Sequence, residues 1–542
     1  MKSQLFTRLN VMMPGKWKSE FLMVAALLLT ACTPSSHAAM DESGKASMLF
    51  ERPTADPQSM QKLMSTQGIY PSLSALLDAP STEQAWEVKV NHDLIDAGNH
   101  ALSVPPPEGD VVRFDLKRFS DVVAMSGWIG DVASDRKQRF TSAAEVDFDP
   151  FNWISLVRDG DEVTGDIHIK GQLYRLEPIG AGRHVLIKVD ASGMPPDGEP
   201  VVEANTVQTA ASNKAQKPAH STIKVLFVTT NERRAASPNY RAALVQALQN
   251  ANQYLINSHV PLTYELAGFF DPDYSDANKS QGTMLNEVAG PDTALAREVY
   301  VHRDALKANL VSLFNTDRAI CGNAFTKSTK ERGYSTISCT SALAHELGHN
   351  LGAAHGLEVP DPDKHYNYGY RHRSPNFHTI QVNSDRAIPY FSNPRLEYQG
   401  VPIGTVQNHD VARQFDDYRD TVENFYPSIL MRVSVFDNIN MQGNKCTFDI
   451  QPAKRVTLIE EECGANWTHK VWSAKVTNMT AGATLRLGNA FAWHTYISTS
   501  YRGDFDVPTL TGKVHDVPEG MTLQANQGNL TKRISQIEIL EQ

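Results

Sequence analysis

The sequence has few cysteines and no run of basic residues. Only five of its 542 residues are cysteine, and its formal net charge at pH 7 is −10. An acidic chain without a basic cluster gives no reason to expect nucleic acid as a partner. Because the chain is longer than one hydrophobic core supports, we expect three or four domains.

The apolar run near the N-terminus is too short to span a bilayer as a stable helix. Residues 21–29 follow Lys16 and Lys18, and this pattern is typical of a signal peptide. Leu29-Thr30-Ala31-Cys32 resembles the bacterial lipobox, which implies that Cys32 is the lipidated first residue of the mature chain. Cleavage near residues 36–38, giving a soluble product, is the alternative. We therefore predict a signal peptide over 1–31 and export from a Gram-negative bacterium, as an outer-membrane lipoprotein or a secreted protein.

The other four cysteines fall into two local pairs. Cys321 and Cys339 lie in one segment, and Cys446 and Cys463 lie in another. An exported chain is expected to oxidise such pairs. Each bridge closes a loop of fewer than twenty residues, for which the chain-entropy estimate is roughly 3 kcal/mol. We therefore predict two disulfides.

One short stretch, HELGHNLGAAH, has the composition and spacing of a metal site. His345 and His349 are four residues apart, so they share one face of the helix that the neighbouring apolar residues predict. Gly352 permits the dihedral angles that end a helix, which lets the chain turn back and bring in His355. Three imidazoles and an open fourth position are typical of catalytic zinc. Glu346 lies on the neighbouring helical row, where we expect a general base for a zinc-activated water.

This stretch resembles the long zinc signature of the metzincin metalloendopeptidases. The resemblance to bacterial, reprolysin-like members extends to the flanking segments 321–325, 334–339, 368–370, 389–394 and 398–404. It implies an α/β catalytic domain over 223–428, one Zn²⁺ ion and protein or peptide substrates, and it leaves the oligomeric state open. It also implies that Tyr390 and Phe391 form a wall of the substrate pocket. Ordinary packing of these two aromatic residues is the alternative.

One position departs from the family pattern. Members of the family have a Met-turn, whose methionine lies beneath the metal, whereas the aligned residue here is Gln381. No methionine lies between Met284 and Met431. A buried amide costs free energy unless it is paired. Because the ligands and the base are intact, we predict an active zinc metalloendopeptidase. The alternative is a catalytically weakened surface lipoprotein that acts as an adhesive or binding module.

The catalytic domain has an alternating pattern of strands and helices. Strands are predicted at 223–228, 262–266 and 308–314, and helices at 240–255 and 411–425. Downstream of the zinc motif in this domain lie four histidines that we expect to be surface or pocket residues: His365, His372, His378 and His409.

The sequence pattern of residues 40–203 predicts a separate unit that consists mostly of β-strands. Strand-like segments at 111–116, 153–157 and 184–189 are separated by turns such as Asp159-Gly160-Asp161. The unit resembles the propeptide of reprolysin-like proteases, which covers the active site until it is removed.

No cysteine lies between Cys32 and Cys321, so a cysteine cannot mediate inhibition from this unit. A carboxylate on zinc, from Asp190 or Asp197, and steric cover are the remaining routes. Both aspartates also fit solvated turns. The following segment, 204–222, has few large apolar residues and is predicted to be a flexible, cleavable linker.

Residues 430–542 predict an all-β domain. Phe436-x4-Met441-x-Gly443 is followed by Tyr496-x4-Tyr501-x-Gly503, a spacing that resembles the Greek-key repeat of βγ-crystallins. Thr468-His469 and Thr531-Lys532 stand where calcium-binding members have acidic or amide residues, which does not favour calcium. A structural or adhesive role is the expectation for this domain.

Overall fold

The computed structural model describes residues 47–541, and within this range it leaves out residues 54–57, 67, 69, 134–135, 203–217, 384–385, 427–430, 451–455, 468–469, 480–482, 489–494, 500–502, 508–520 and 526–535. The predicted signal peptide, Cys32 and most of the predicted linker therefore lie outside the described residues. The boundaries assigned to the domains stay predictions.

The first part of the described chain is a large β-sheet with three short helices. Its strands are β1 (Ser47–Met48), β2 (Thr82–Val88), β3 (Ala101–Val104), β4 (Val112–Val122), β5 (Met125–Asp131), β6 (Trp153–Asp159), β7 (Glu162–Ile169), β8 (Gln172–Gly180) and β9 (Arg183–Val189). Its helices are α1 (Gln58–Thr66), α2 (Pro71–Leu77) and α3 (Arg136–Arg139).

These nine strands form one sheet in the order β1-β3-β4-β5-β6-β7-β8-β9-β2. Only the β1–β3 pair is parallel. The predicted turn at Asp159-Gly160-Asp161 joins β6 to β7 as a hairpin, in which Gly160 has a positive φ of 63°. Glycine adopts this conformation without the steric cost that a side chain brings. We call this part of the chain the N-terminal unit.

The second part contains the zinc motif. Its strands are β10 (Ser221–Thr229), β11 (Leu262–Phe270), β12 (Leu310–Phe314), β13 (Gly322–Ala324), β14 (Tyr334–Ile337), β15 (Ala354–Gly356), β16 (Tyr368–Gly369), β17 (Arg371–Arg373), β18 (Asn376–His378), β19 (Asn393–Tyr398) and β20 (Val401–Ile403). Its helices are α4 (Asn231–Ala236), α5 (Tyr240–Asn257), α6 (Gln281–Ala289), α7 (Ala294–Leu306), α8 (Leu343–Asn350) and α9 (Val411–Glu423).

A five-stranded sheet organises this second part, in the order β11-β10-β12-β14-β13. The first four strands are parallel, whereas β13 runs antiparallel to β14 and forms one edge of the sheet. The sheet and its helices make the predicted α/β domain. The predicted strands at 223–228, 262–266 and 308–314 and both predicted helices are confirmed, with ends that differ by a few residues.

The N-terminal unit and the α/β domain share one hydrophobic core. Phe148 and Trp153, from the N-terminal unit, belong to the same buried cluster as Tyr254 and Tyr390. Trp153 contacts Tyr254 edge to face, with 6.1 Å between ring centroids. The sequence predicted two separate units, but their apolar faces are buried against each other.

The last part consists almost entirely of strands. They are β21 (Met431–Phe436), β22 (Lys445–Ile450), β23 (Val456–Leu458), β24 (Ser473–Met479), β25 (Ala483–Gly488), β26 (Thr495–Thr499), β27 (Gly503–Val507), β28 (Met521–Ala525) and β29 (Gln536–Glu541), and the described residues also include the short α-helix α10 (Ile459–Cys463).

These strands form two sheets, ordered β22-β21-β24-β27 and β23-β29-β25-β26-β28. The predicted first repeat corresponds to the hairpin of β21 and β22. The predicted second repeat would join β26 to β27, but these strands lie in different sheets, and β25 and β26 form the second hairpin instead. The aromatic and glycine spacing alone did not fix which strands pair.

Two further features concern the described chain as a whole. Both predicted disulfides are present, between Cys321 and Cys339 and between Cys446 and Cys463. None of the helices in the described part of the chain has the length and hydropathy needed to cross a bilayer.

Candidate zinc centre

Helix α8 carries the first two histidines of the zinc motif. All eight of its residues are buried, including His345 and His349, which lie one turn apart on the same face. The helix ends because Gly352 has a φ of 95°, and the amide of Ala353 then donates to the carbonyl of Gly348 at 3.0 Å. This reversal leads directly into β15, which contains His355.

The three imidazole rings converge through their Nε2 atoms. Nε2 of His345 is 2.9 Å from Nε2 of His349 and 3.1 Å from Nε2 of His355. Nδ1 of His345 donates to the carbonyl of Ile380 at 2.9 Å, and Nδ1 of His349 donates to that of Ala353 at 2.8 Å. A carbonyl only accepts, so both rings carry their proton on Nδ1 and present lone pairs at Nε2.

Facing lone pairs at this distance need a cation between them. Tetrahedral zinc with Zn–N distances of about 2.0–2.1 Å separates its ligand atoms by about 3.3 Å, close to what the rings show. Burial lowers the pKa of His349 well below its usual value, and it also lowers that of His355; the neighbouring His345 adds to both shifts. The neutral form is the one that binds metal. The three histidines therefore fit one Zn²⁺ ion.

Glu346 is buried beside this histidine group. Among the described residues, neither of its carboxylate oxygens has a hydrogen-bond partner. Burial raises the pKa of Glu346 well above its usual value, and the nearby carboxylate of Asp197 raises it further. Gly322 in β13 allows the close approach, because a Cβ atom there would lie 2.5 Å from Oε1 of Glu346.

Gln381 lies beneath the histidines, at the position where the family resemblance implies a methionine. Its side chain is fully buried, and its Nε2 donates to the backbone carbonyl of His345 at 3.1 Å. Its Oε1 has no hydrogen-bond partner among the described residues. The amide is thus half paired.

Tyr390 and Phe391 are both buried in the shared core. The hydroxyl of Tyr390 donates to the carbonyl of Phe148 at 2.9 Å. Phe391 contacts Phe415 edge to face, with ring centroids 4.7 Å apart. Ordinary packing accounts for both aromatic residues, and their role in a substrate pocket stays a prediction.

A cavity of about 530 Å³ lies between the N-terminal unit and the α/β domain, and neither the three histidines of the zinc motif nor Glu346 are among its lining residues. Ala344, the neighbour of His345 in the chain, and Ile380, whose carbonyl bonds to His345, line it together with Arg371 and Arg386. Neither arginine belongs to a motif, so no local pattern singled them out. Of the four histidines downstream of the motif, His378 lines this cavity, and none belongs to a metal-type group among the described residues.

The two aspartates considered for inhibition differ in position. The carboxylate of Asp190 accepts hydrogen bonds from the amide and hydroxyl of Ser192, as a turn residue does. Asp197 instead lies beside His345: its side chain is only 4 % exposed, and its Oδ2 lies 3.8 Å from Nδ1 of His345, the ring nitrogen that donates to Ile380. Glu199, which the sequence did not single out, lies 3.5 Å from Nδ1 of His355.

Three imidazoles with converging Nε2 atoms on a helix and the strand after it, with a buried carboxylate beside them, are the site of a zinc metallopeptidase. A family model described as metallo-peptidase family M12B, reprolysin-like, matches residues 240–356. The chain belongs to this family, as its similarity to known members also shows. It is a zinc metalloendopeptidase, and its substrates are proteins or peptides.

Several known proteins are similar to the chain over most of their length. One from Stenotrophomonas maltophilia, named peptidyl-Asp metalloendopeptidase, is 30% identical over 380 residues, which cover 66% of this chain and 89% of the relative. A protein of the same name from Xanthomonas campestris pv. campestris is 28% identical over 414 residues, which cover 73% of this chain and 97% of the relative. The solved structure of metalloproteinase-II from Bacteroides fragilis aligns with a TM-score of 0.33 at 10% identity, covering 64% of this chain and 94% of that one.

Proposed function

We propose that the chain hydrolyses peptide bonds with Glu346 as its general base. The observation that carries this proposal is the buried carboxylate of Glu346, which lies beside the histidine group without a hydrogen-bond partner among the described residues. Zinc bound to the three histidines supplies a Lewis acid that polarises the substrate carbonyl and acidifies a water molecule. Glu346 takes the proton of that water and delivers it to the leaving amine.

The test compares the wild type with Glu346→Ala in the processed protein, with and without a chelator. We expect the variant to bind one zinc ion and to lose peptide cleavage by about a hundredfold or more. Glu298→Gln, an exposed glutamate on α7, is the matched control and retains activity. Equal inactivity of wild type and Glu346→Ala, with zinc bound to both, would instead favour the binding-protein alternative.

We also propose that the scissile bond adjoins an aspartyl residue of the substrate. The two relatives are named peptidyl-Asp metalloendopeptidases, and Arg371 and Arg386 line the same cavity as Ala344 and Ile380, two neighbours of His345. A guanidinium group recognises a carboxylate through paired hydrogen bonds. Two peptides that differ only by Asp or Asn at the scissile bond test this preference. Arg371→Gln and Arg386→Gln then show which arginine is responsible, and an equal kcat/KM for both peptides would contradict the proposal.

We propose that the N-terminal unit is a propeptide and that processing occurs within residues 204–222. The support is its burial against the α/β domain, through the shared core and the cavity wall. N-terminal sequencing of the active protein checks this proposal. A mature start well outside residues 204–222 would exclude processing there.

Export, with lipidation at Cys32 or as a secreted product, is part of the same proposal and rests on the sequence pattern. Metabolic labelling with palmitate distinguishes the two routes, since Cys32→Ala removes the label only from a lipoprotein. A wild type that takes up no label, with unchanged secretion of Cys32→Ala, would favour the secreted route.

The C-terminal strands are proposed to form a βγ-crystallin-like domain with a structural or adhesive role. The hydroxyl of Ser473 donates to the carbonyl of Asn438 at 2.6 Å and accepts from the amide of Met441 at 2.9 Å, which folds the first hairpin onto the sheet. In addition, β23 and β27 each lie in the sheet opposite to the one that contains the strand before them. Deletion of residues 430–542 should leave peptide cleavage intact and remove any adhesion to a protein or polysaccharide surface.

A further inference from the structure

The two walls of the cavity between the N-terminal unit and the α/β domain differ in charge. The α/β domain contributes Arg371 and Arg386, and no carboxylate of this domain lines the cavity among the described residues. The opposite wall comes from residues 83–194 and has three carboxylates and two cations, from Glu83, Asp166, Asp190, Lys170 and Arg175. All of this wall precedes the linker, so it leaves with the N-terminal unit after processing within residues 204–222. The pocket that remains on the α/β domain has only cationic charges and suits an anionic side chain.

The two arginines differ in their ion-pair partners. Nε of Arg371 lies 3.5 Å from Oε1 of Glu358, and both residues belong to the α/β domain. Nη2 of Arg386 lies 4.0 Å from Oδ1 of Asp190, which precedes the linker. Processing therefore leaves Arg371 with its carboxylate and takes away the carboxylate beside Arg386. The guanidinium group of Arg386 is then free to bind a carboxylate of the substrate.

The segment that carries Arg386 is anchored next to the zinc centre. The amide of Ile388 donates to the carbonyl of His378 at 2.9 Å, which closes the base of this segment. Ile380 lies at the same base, and its carbonyl accepts from Nδ1 of His345 at 2.9 Å. Ile380, His378 and Arg386 all line the cavity. The position of Arg386 is thus tied to the first zinc ligand through one short stretch of chain.

We propose that Arg386 is the specificity-determining residue of the processed enzyme and binds the carboxylate of the aspartyl residue at the scissile bond. This inference rests on the proposed function and deepens it, because it names which of the two arginines acts. A guanidinium group binds a carboxylate through two parallel N–H···O bonds. An asparagine side chain offers one acceptor oxygen and no charge. The preference for aspartate over asparagine therefore depends on Arg386, whereas Arg371 keeps its own partner, Glu358.

The test measures kcat/KM of the processed, zinc-loaded enzyme on two peptides that differ only by Asp or Asn at the scissile bond. We expect Arg386→Gln to lower kcat/KM for the Asp peptide by about ten- to a hundredfold and that for the Asn peptide by no more than about twofold. Cleavage of the Asn peptide is the internal reference, because damage to the fold or to the zinc centre lowers both values. Arg386→Lys keeps the charge but not the paired geometry, so it should retain part of the preference.

Arg371→Gln is the matched control on the same wall of the cavity, and the Asp-to-Asn ratio should stay within about threefold of the wild type because an exposed, already paired charge contributes little. If the wild type prefers Asp and Arg371→Gln abolishes the preference while Arg386→Gln keeps it, the assignment to Arg386 is wrong. An equal decrease for both peptides in Arg386→Gln would also overturn it, since Arg386 would then only support its segment. In both cases the proposed aspartyl preference still stands. A wild type that cleaves both peptides equally shows that the proposed preference itself fails, together with this inference.

Discussion

Gln381 donates a hydrogen bond to the backbone carbonyl of His345, directly beneath the three imidazole rings. This contact links the turn after β18 to the helix that carries the metal ligands. It also explains how an amide occupies a place suited to a thioether: one end of the amide is paired, and the other end, Oε1, lies against Gly348 without a donor among the described residues.

Replacing this amide should stabilise the protein. In Gln381→Met, the unpaired Oε1 disappears and a flexible apolar side chain fills the space. Removing a buried unsatisfied acceptor outweighs the loss of one hydrogen bond by about 1 kcal/mol, which corresponds to a rise of about 2–4 °C in Tm. Calorimetry of the zinc-loaded protein measures the effect, with exposed Gln407→Met as the control. A lower Tm for Gln381→Met would mean that the bond to His345 is the larger contribution.

The disulfide between Cys321 and Cys339 should stabilise the edge strand beside the zinc centre. It spans 18 residues and joins the start of β13 to the end of β14. Replacing both cysteines by alanine should cost roughly 3 kcal/mol, because the unfolded chain gains conformational freedom. Denaturant unfolding and zinc affinity are the measurements. The disulfide between Cys446 and Cys463 closes a loop of similar length, 17 residues, in the C-terminal strands. The matched control is the variant in which both of these cysteines are replaced by alanine. If only the control variant lost zinc affinity, the bridge between Cys321 and Cys339 would not be the one that supports the strand beside the zinc centre.

His184 should make the N-terminal unit sensitive to acid. Its ring is 1 % exposed, and its Nε2 accepts the amide hydrogen of Val163 at 2.9 Å. Burial lowers the pKa of His184 to about 4, against the opposing effect of Asp161. The folded protein therefore binds the proton more weakly than the unfolded chain, whose histidine has a pKa of about 6.5. Stability is fully present above about pH 6.5 and is lost as the pH falls towards 4.

The expected loss from this histidine is about 3 kcal/mol between pH 7 and pH 4. Urea unfolding of wild type and His184→Gln at both pH values measures it, because all other acid effects are common to the two proteins. His184→Gln should show a pH dependence smaller by that amount. Parallel pH profiles for the two proteins would refute the assignment to His184.

Asp166 should hold the N-terminal unit on the α/β domain. Its Oδ2 accepts from Nε2 of Gln246 at 2.7 Å and from Nδ2 of Asn250 at 3.2 Å, and its Oδ1 lies 3.5 Å from Nε of Arg175. In Asp166→Ala the two amides lose a buried acceptor and Arg175 loses its ion-pair partner, at a cost of about 3–5 kcal/mol.

The measurement is size-exclusion chromatography after a cut in the linker. The two parts of the wild type should elute together, whereas those of Asp166→Ala should separate. Exposed Asp110→Ala, in the same unit, should behave as the wild type. Co-elution of the Asp166→Ala fragments would show that the apolar core alone is sufficient.

The sequence predicted those elements whose signals are local. The apolar periodicity of 240–255 predicted α5, and the alternation in 153–157 predicted β6, because helix and strand repeats place apolar residues on one face within a few positions. The histidine spacing predicted the shared face of α8 for the same reason. The sequence did not predict the boundary of the catalytic fold or the strand pairing of the C-terminal part as well, because pairing depends on partners far along the chain.

Helix α5 is an element whose surroundings could not be predicted from its own sequence. Its apolar face points to the core as predicted, but its polar face is buried too, because Gln246 and Gln249 bond to Asp166 and Ser155 of the N-terminal unit. These partners are 80 and 94 residues away in sequence. A polar helix face normally indicates contact with solvent. No pattern within the helix distinguishes a polar face exposed to solvent from one buried against another unit.

The sequence by itself determined that the chain has a zinc motif, its two disulfide pairs and an α/β domain, because the donor atoms and apolar repeats of each lie close together along the chain. Only the tertiary structure decided that Asp197 lies beside His345 and that Gln381 pairs with the carbonyl of His345. Both contacts join residues far apart in sequence. Their distances follow from how β13, α8 and the N-terminal unit pack against one another, which no spacing within one segment encodes.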